Sequence, residues 1–301
     1  MIYLAFDAGG TNIKYAAITD GGEILTKGKF RTPQDSFEEL IVSMGAVHRE
    51  LSRRYSFEGL ALSLPGAPNN ETGFIQGGSA IPYIHGPNFR EALFKETGLP
   101  SYAENDAKSA ALCEVWKGAA KDVNDALFLV IGTGVGGAVV KDRKVHKGIN
   151  LLAGEFGYMV LESDFKDRNF KTLSGSGSTG SLIKAVAKRK DLDYREVTGE
   201  EIFAGAEDGD RDCIEEIERF YENIAVGIFN LMYFYNPEII VIGGAISSRE
   251  DLIDKIKGKL EIVKEGVGGC VDEVNPPIVP CNFGGDANLL GAVYNYIQNH
   301  P

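Results

Sequence analysis

Two glycine–threonine pairs follow short apolar, strand-like runs of the sequence. Gly10-Thr11 comes shortly after residues 2–6, and Gly132-Thr133 comes directly after residues 126–131. Glycine lets the backbone approach a ligand closely and turn its N–H groups outward, and threonine adds a hydroxyl donor. A turn of this kind can bind phosphate without a positive side chain. Because the two turns hold equivalent positions in two similar stretches, the sequence predicts a pair of phosphate-binding turns.

Asp7 lies at the mouth of the first of these turns, two residues before Gly9. A carboxylate in that position would repel a phosphate unless a cation lay between them. We therefore expect Asp7 to bind Mg²⁺ on a nucleotide, directly or through a water molecule. The alternative is an aspartate that caps its own turn.

A second polar cluster, Glu104-Asn105-Asp106, stands at the start of a predicted helix. An asparagine or aspartate there could simply be the helix N-cap. The triplet carries more polar groups than a cap needs, and the alanine-rich helix behind it is suited to close packing beneath a site. A carboxylate held there could accept the proton of a hydroxyl group that attacks the γ-phosphate of a nucleotide.

A third cluster places Glu155 between two glycines and next to the aromatic residues Phe156 and Tyr158. A sugar is bound well by such a mixture, since a carboxylate accepts hydrogen bonds from hydroxyl groups and an aromatic ring packs against the sugar ring. A simple surface turn is the alternative for this segment.

The second glycine turn also fits a different motif. Residues 132–137 match G-x-G-x-x-G and follow a strand, as in dinucleotide-binding enzymes, so an NAD-dependent dehydrogenase is an alternative function. That motif requires a helix after its last glycine. Ala138-Val139-Val140 is followed by a charged turn, which favours a strand instead. A Gly-Lys-Ser/Thr phosphate loop is absent from the sequence.

The elements around these motifs repeat. A strand, glycine turn, strand and second turn are predicted for residues 2–25 and again for residues 126–143, where the glycine turn is predicted to span residues 132–137. Two halves that begin alike favour a duplicated α/β fold with a ligand cleft between them. Other expected elements are a third strand at 23–30, helices at 36–55, 105–117 and 286–297, and strands at 59–64, 100–103 and 238–242. A further long helix is expected to carry the apolar stripe 214–232 and to end before Pro237.

Composition excludes several classes of protein. The formal net charge of −12 disfavours binding to nucleic acid or to anionic membranes. No apolar run approaches the roughly 20 residues of a membrane-spanning helix, and the first residues lack the basic segment of a signal peptide. The four cysteines (Cys113, Cys213, Cys270 and Cys281) form no CxxC pair. Reduced thiols in a cytoplasmic protein without structural zinc or disulfides are therefore expected.

Taken together, the motifs resemble those of the ROK family (repressors and sugar kinases) in the actin-like ATPase superfamily. The matching segments keep the family's order and spacing over almost the whole chain; they are residues 7–14, 104–107, 131–137, 153–157 and 240–245. The resemblance implies an α/β, duplicated ribonuclease-H-like fold of two lobes with a central cleft. Residues 1–117 plus 286–301 would form the sugar-binding and catalytic lobe, and residues 118–285 the nucleotide-binding lobe.

The resemblance also implies an activity: transfer of the γ-phosphate of ATP to the 6-hydroxyl of a hexose, with Mg²⁺ as cofactor. Asp106 would be the general base. Asn105, Glu155 and Tyr158 would contact the sugar, and Gly78 and Ser79 would line the same pocket. Asp7 would serve Mg²⁺, and the nucleotide would be bound by Gly9, Gly10, Thr11, Asn12, Lys14, Gly132, Thr133, Gly134, Gly136, Gly243 and Gly244.

The chain departs from the family pattern near the sugar segment. Many ROK kinases have histidine where this chain has Tyr158, followed by a cysteine-rich loop with zinc, whereas residues 162–180 contain no cysteine. A glutamate that often contacts the sugar corresponds approximately to Ser174. A zinc site is therefore not expected, and the pocket is expected to accept a derivatised hexose, such as a β-glucoside or N-acetylmannosamine.

Family resemblance leaves two further expectations. ROK kinases are commonly homodimers or homotetramers, and we expect the same here. Some ROK relatives are sugar-responsive regulators without catalysis, which carry a DNA-binding helix-turn-helix before the first phosphate turn. The six residues before Asp7 and the acidic charge disfavour that alternative.

Overall fold

The computed structural model describes residues 1–268 and 273–300, which form two compact units. Unit 1 contains Met1–Lys121, Lys147–Leu152 and the C-terminal segment from Asn282 onward. Unit 2 contains Asp122–His146 and Ala153–Cys281. The sequence assigned residues 118–121, 147–152 and 282–285 to the second lobe, whereas the structure places these three short segments in unit 1.

The main sheet of unit 1 has the strand order β3-β2-β1-β4-β7. Strands β1, β2 and β3 are antiparallel neighbours, whereas β1, β4 and β7 run parallel. A small separate sheet pairs β5 with β6. The strands of this unit are β1 (Ile2–Ala8), β2 (Asn12–Thr19), β3 (Ile24–Arg31), β4 (Leu60–Leu64), β5 (Ala67–Pro68), β6 (Ile75–Gln76) and β7 (Ser101–Asn105).

Unit 2 repeats this topology, because its main sheet has the order β10-β9-β8-β13-β14 with the same pattern of antiparallel and parallel pairs. The repeat confirms the predicted duplicated ribonuclease-H-like α/β fold. A hairpin of β11 and β12 is added to it. The strands are β8 (Ala126–Ile131), β9 (Val135–Lys141), β10 (Lys144–His146), β11 (Val160–Asp164), β12 (Asn169–Thr172), β13 (Ile239–Gly243) and β14 (Ile278–Pro280).

Helices cover both main sheets. Unit 1 holds the first three helices and the last one, and unit 2 holds the others. Their bounds are α1 (Phe37–Leu51), α2 (Phe89–Thr97), α3 (Asp106–Lys117), α4 (Leu173–Ser176), α5 (Thr179–Arg189), α6 (Gly199–Glu207), α7 (Arg211–Tyr235), α8 (Leu252–Val267) and α9 (Ala287–Asn299). The α1 helix ends at Leu51, four residues before the predicted end, because the following backbone N–H groups form tight turns onto Glu50 and Leu51.

The apolar run of β1 explains why a central strand forms there. Leu4 and Phe6 pack into one buried cluster together with Met44 of α1, whereas Tyr3 and Ala5 face the cluster formed with α9. A strand buried on both faces reads as a continuous hydrophobic run rather than as an alternating one. Packing on both faces thereby fixes the position of β1, which carries Asp7 near its carboxyl end.

The predicted end of the second glycine turn is also wrong. Strand β9 begins at Val135, so the turn covers only residues 132–134, and Gly136 and Gly137 lie within the strand opposite Val130 and Leu129. A Cβ atom on Gly137 would lie 2.5 Å from the Phe156 ring, so glycine is needed there for packing rather than for turning. Because a strand rather than a helix follows the glycines, this segment is not the dinucleotide-binding motif of a dehydrogenase.

Within the described ranges, no helix is long and apolar enough to cross a membrane. Cys113, Cys213 and Cys281 carry free thiols. Cys270 lies outside the described residues.

Candidate active site

The parallel strands of unit 1 bring three polar residues side by side near their carboxyl ends. Asp7 of β1 pairs in register with Ser63 of β4, and Ser63 pairs with Glu104 of β7. Asn105 and Asp106 follow directly. The edge formed by the carboxyl ends of parallel strands is the usual ligand-binding edge of an open α/β sheet.

Asp7 is buried, and its carboxylate is held in one orientation. Ser63 Oγ and Asn288 Nδ2 both donate hydrogen bonds to its Oδ1, at 2.9 and 3.0 Å. The Lys14 ammonium lies 3.9 Å from Oδ2 and donates to the carbonyl oxygen of Gly285. Because both hydrogen bonds use Oδ1, Oδ2 is the atom available to a cation. A carboxylate oxygen beside a glycine turn fits Mg²⁺, which prefers oxygen ligands.

The first glycine turn is closed by backbone contacts that leave its polar side chains outside. Gly9 N donates to the Asn12 carbonyl at 3.1 Å, and Thr32 Oγ1 donates to the Gly9 carbonyl at 2.6 Å. Thr11 and Asn12 are both exposed. The turn therefore presents a hydroxyl and an amide to solvent, as a phosphate-binding turn must.

The segment predicted to line the sugar pocket lies against this turn. A Cβ atom on Gly10 would come within 2.9 Å of the Ala80 side chain. Ser79 is fixed by His85, since Ser79 Oγ lies 2.8 Å from His85 Nε2 and His85 Nδ1 lies 3.2 Å from the Ile75 carbonyl. If Nδ1 donates to that carbonyl, Nε2 is left to accept the serine proton. Gly78 is exposed beside them.

Asn105 is the N-cap of α3, and both ends of its amide are used. Its Oδ1 accepts from Lys108 N at 3.2 Å, and its Nδ2 donates to the Gly66 carbonyl at 2.9 Å. The capping alternative weighed from the sequence is thus what the structure shows for this residue. An amide has a second N–H and a second lone pair, so capping does not consume its capacity to bind a ligand.

Asp106 is the first residue of α3. Its Oδ1 accepts a hydrogen bond from Ala107 N at 2.8 Å. The residue retains access to solvent, but surrounding protein atoms remove enough hydration from its carboxyl group to raise the pKa, and the charge of Asp7 raises the pKa further. Hydrogen bonds from Ala107 and Asn105 lower it in part. A carboxylate with a raised pKa is suited to accept a proton.

In unit 2, the glycine turn at residues 132–134 is fastened to the start of α5. Thr179 N and Gly180 N donate to the Gly132 carbonyl at 2.9 and 3.3 Å. Gly132 N in turn donates to the Gly134 carbonyl, and Thr133 remains exposed at the tip. This turn therefore presents the same kind of exposed threonine as the turn of unit 1.

The Gly243-Gly244 pair lies next to that turn within unit 2. Gly243 ends β13 opposite Val130, at the same edge of the sheet as the end of β8. Gly244 has a φ of +94°, and a Cβ atom there would overlap the carbonyl oxygen of Ile131. Only glycine allows this backbone conformation and this approach together. The structure thus brings together, within unit 2, the two segments that the sequence predicts to bind the nucleotide, namely the turn at 132–134 and the Gly243-Gly244 pair.

The segment that carries Glu155 lies flat on β9. A Cβ atom on Gly154 would come within 2.9 Å of Ala138, and one on Gly157 would overlap the carbonyl oxygen of Val135. Between them, Phe156 is buried over Gly137. The glycines are therefore required by packing, and this packing fixes the position from which half-buried Glu155 projects.

Tyr158 and Ser174, two of the departures from the family pattern, have different structural settings. Tyr158 is 79 % exposed. Ser174 lies at the start of α4, and its Oγ accepts a hydrogen bond from Val135 N at 3.0 Å, next to the glycine turn. Ser174 therefore ties α4 to that turn.

The predicted site residues divide between the two units. Unit 1 brings together Asp7, the first glycine turn, Gly78, Ser79, Asn105 and Asp106, and unit 2 contains the second turn, Glu155, Tyr158 and the glycine pair at 243–244. Sequence reasoning missed Ser63 and Asn288, which fix Asp7. Their signals were a serine within an otherwise apolar strand and an asparagine after a pair of glycines. Within 1–268 and 273–300, no group of three or more His, Cys, Asp or Glu residues could hold a metal ion.

Comparison with known proteins places the chain in a family. The model of the ROK family matches residues 3–298. A β-glucoside kinase of Listeria monocytogenes is 36% identical over 295 residues, which cover 98% of this chain and 97% of the relative. A glucokinase of Halalkalibacterium halodurans is 32% identical over 86% of this chain and 85% of its own length.

A solved structure agrees with these relatives. The crystal structure of a ROK family protein from Streptococcus pneumoniae in complex with sucrose superposes with a TM-score of 0.88 at 36% identity, and it covers 99% of both chains. The predicted resemblance is confirmed: this chain belongs to the ROK family.

Proposed function

We propose that this protein is an ATP-dependent sugar kinase that transfers the γ-phosphate of ATP to the 6-hydroxyl of a hexose or hexose derivative. The observation that carries the proposal is the pair formed by Asp7 and Asp106 at one sheet edge of unit 1. One carboxylate is fixed beside a phosphate-type turn, and the other has a raised pKa at the start of a helix. The similarity to kinases of β-glucosides and glucose supports it.

Asp106 is proposed as the general base. Its carboxylate accepts the proton of the sugar O6 hydroxyl while O6 forms a bond to the γ-phosphorus, and the bond from that phosphorus to the β–γ bridging oxygen breaks to release ADP. The raised pKa makes this carboxylate a better proton acceptor than an ordinary aspartate. The Ala107 N–H holds one of its oxygens in place during the transfer.

The proposed nucleotide contacts follow the two glycine turns. Thr11 and Thr133 are exposed and offer hydroxyl donors to phosphate, and the glycines next to them let a phosphate approach the backbone closely. Asp7 would hold Mg²⁺ through Oδ2, directly or through a water molecule; when bound, this ion neutralises charge on the phosphate oxygens. Lys14 adds a positive side chain, and the remaining proposed contacts are Gly9, Gly10, Asn12, Gly132, Gly134, Gly136, Gly243 and Gly244.

The two units are proposed to divide the work in the way expected from the sequence. Unit 1 would form the sugar-binding and catalytic lobe, since it contains Asp106, Asn105 and Ser79. Unit 2 would form the nucleotide-binding lobe, and would also contribute Glu155 and Tyr158 to the sugar. Asn105 and Glu155 would hydrogen-bond sugar hydroxyls, and Gly78 would line the pocket.

The proposed substrate class is a derivatised hexose, such as a β-glucoside or N-acetylmannosamine. Ser174 uses its hydroxyl on Val135 N rather than holding a carboxylate toward a sugar. Tyr158 is largely exposed. Tyr158 and Ser174 therefore offer a sugar fewer fixed polar contacts than the histidine and glutamate that many ROK kinases have at these two positions. The β-glucoside kinase relative favours the same class.

Two further proposals concern location and assembly. The cysteine pattern leads us to expect that the protein acts in the cytoplasm, and the family leads us to expect a homodimer or homotetramer. Light scattering after size-exclusion chromatography measures the second directly, and a monomeric mass at micromolar concentration would contradict it.

The function is tested with a panel of sugars. Purified protein, ATP and Mg²⁺ are incubated with glucose, β-glucosides, N-acetylmannosamine and N-acetylglucosamine, and ADP release is followed together with ³¹P NMR of the product. We expect ADP release with at least one sugar, a 6-phosphate product, and a higher kcat/KM for a derivatised hexose than for glucose. ADP release that no sugar stimulates would contradict the kinase proposal, and glucose as the best substrate would contradict the substrate class.

A further inference from the structure

Glu104 is a buried carboxylate that the proposed chemistry does not use. It is only 1% exposed, although it directly precedes Asn105 and Asp106. Its Oε1 accepts a hydrogen bond from Asn105 N at 2.9 Å. A buried carboxylate is costly unless a positive charge lies close to it, so its partner indicates what it does.

The partner of Glu104 is Lys147. The Lys147 ammonium lies 2.7 Å from Glu104 Oε2, and the lysine side chain is 26% exposed. By distance this is an ion pair, although in the described part of the chain Oε2 makes no hydrogen bond of good geometry. The Lys147 ammonium also lies 6.0 Å from the centre of the ring of Tyr102, a residue of β7 like Glu104. The interaction is therefore chiefly electrostatic.

A second buried charge holds the same short segment. Lys108, in the first turn of α3, is 2% exposed and donates from Nζ to the Leu151 carbonyl at 2.7 Å. Glu104 and Lys108 thus lie on either side of Asp106 in the sequence, and both bind the segment Lys147–Leu152. This explains why that segment belongs to unit 1 although the residues before and after it belong to unit 2.

The anchored segment leads directly into the proposed sugar segment. Leu152 is followed by Ala153, and Glu155 is three residues beyond Leu152. Glu104 holds the side chain of Lys147, and Lys108 holds the backbone carbonyl of Leu151. Ile149, in the middle of the segment, is 96% exposed and contributes little packing. Polar contacts rather than a hydrophobic core therefore hold this segment in place.

We propose that Glu104 and Lys147 are positioning residues for sugar binding: their ion pair fixes the Glu104 side chain beside Lys147–Leu152, and Glu104 Oε1, which accepts a hydrogen bond from Asn105 N, thereby holds Asn105 in place. The inference rests on the proposed function, because it assigns the pair an effect on the sugar through Asn105. Asn105 would bind sugar hydroxyls equally before and during phosphate transfer. Loss of the pair should therefore raise KM for the sugar rather than lower kcat.

The test compares Lys147→Met with Lys144→Met, which removes an exposed lysine from β10 three residues earlier. We expect Lys147→Met to raise KM for the sugar about tenfold, with kcat and KM for ATP changed less than about threefold. Lys144→Met should match the wild type. Lys147→Arg should recover most of the affinity, since a guanidinium also pairs with a carboxylate.

Hydrogen exchange provides a readout that does not depend on activity. The peptide that contains residues 147–152 should exchange faster in Lys147→Met and in Glu104→Gln than in the wild type or in Lys144→Met. If exchange in this peptide is unchanged, the anchoring role is contradicted. If exchange rises while KM for the sugar stays within about twofold of wild type, the sugar-positioning role is contradicted. A wild-type protein that phosphorylates no sugar would instead contradict the proposed function, while the exchange result would still test the anchor.

Discussion

The carboxylates of Asp7 and Asp106 interact electrostatically within unit 1. Loss of hydration is the main reason why the pKa of Asp106 is raised, and the negative charge of Asp7 raises this pKa further. Asp7 lies on β1, and Asp106 begins α3 directly after β7; Ser63, on β4 between those two strands, donates a hydrogen bond to Asp7. A nucleotide-bound cation at Asp7 would weaken this repulsion, so the charge state of Asp106 is expected to respond to the ligand.

This relationship predicts the acid limb of the pH profile. Asp106 must be ionised to accept a proton, and its pKa is raised. The fall of kcat/KM on the acid side should therefore have its midpoint above the ordinary aspartate value of about 3.9. The measurement is kcat/KM for the sugar at saturating Mg-ATP from acid to neutral pH, with enzyme stability checked at each point. A midpoint at or below the ordinary value would contradict the assignment.

The same shift predicts that Asp106 lowers the stability of the folded protein at neutral pH. Because its pKa is higher in the folded state than in the unfolded state, its contribution favours folding at low pH and is lost as pH rises through the folded-state pKa. Asp106→Asn resembles the protonated form. Its free energy of unfolding at pH 7 should exceed that of the wild type, and the difference should shrink as pH falls. Urea unfolding at several pH values measures this, and a less stable Asp106→Asn at pH 7 would contradict it.

Asp7 provides a test of the metal proposal. Asp7→Asn keeps the shape of the side chain but removes its charge. We therefore expect kcat to fall by about 10² and the Mg²⁺ concentration that gives half-maximal activity to rise. Ser63→Ala removes only one of the two donors to Oδ1 and should reduce activity by about tenfold or less. Activity measured against Mg²⁺ concentration distinguishes the two. An Asp7→Asn protein with wild-type Mg²⁺ dependence would remove Asp7 from the metal site.

Gly244, of the Gly243-Gly244 pair, gives a prediction about the stability of the folded protein that does not depend on activity. Gly244→Ala requires a side chain at a φ of +94° against the Ile131 carbonyl, and should destabilise the protein by about 2 kcal/mol or more. Gly258→Ala is the matched control, because Gly258 lies within α8 with open space around it. This control should stabilise the protein by about 0.5–1 kcal/mol. Urea unfolding of both proteins provides the measurement, and equal effects would contradict the packing account.

The fold was largely predictable because its signals are local. The apolar run before Asp7 and the glycine turns each act over a few residues, as does Ser36, whose side chain caps α1 by accepting a hydrogen bond from Glu39 N. The repeat of the first pattern from residue 126 indicated duplication. The end of the second turn was misplaced, since Gly136 and Gly137 serve packing under Phe156 rather than turning. A single sequence does not distinguish these two uses of glycine.

The contacts that hold the candidate site were less predictable because they join distant parts of the chain. Asn288 binds Asp7 across 281 positions of sequence, and Ser63 binds it across 56. Lys147 is likewise far in sequence from Glu104. No periodicity or motif links such pairs, so they emerge only once the strands of unit 1 are arranged in order.

The role of Asp106 as general base is tested most directly by the turnover of Asp106→Asn with the best sugar found for the wild type. The substitution keeps the size of the side chain and its hydrogen bond from Ala107 N, but it removes the base. We expect kcat to fall by about 10² or more while Mg-ATP binding, measured by calorimetry, stays within about twofold of the wild type. An Asp106→Asn protein that turns over at a near-normal rate would show that Asp106 is not the base.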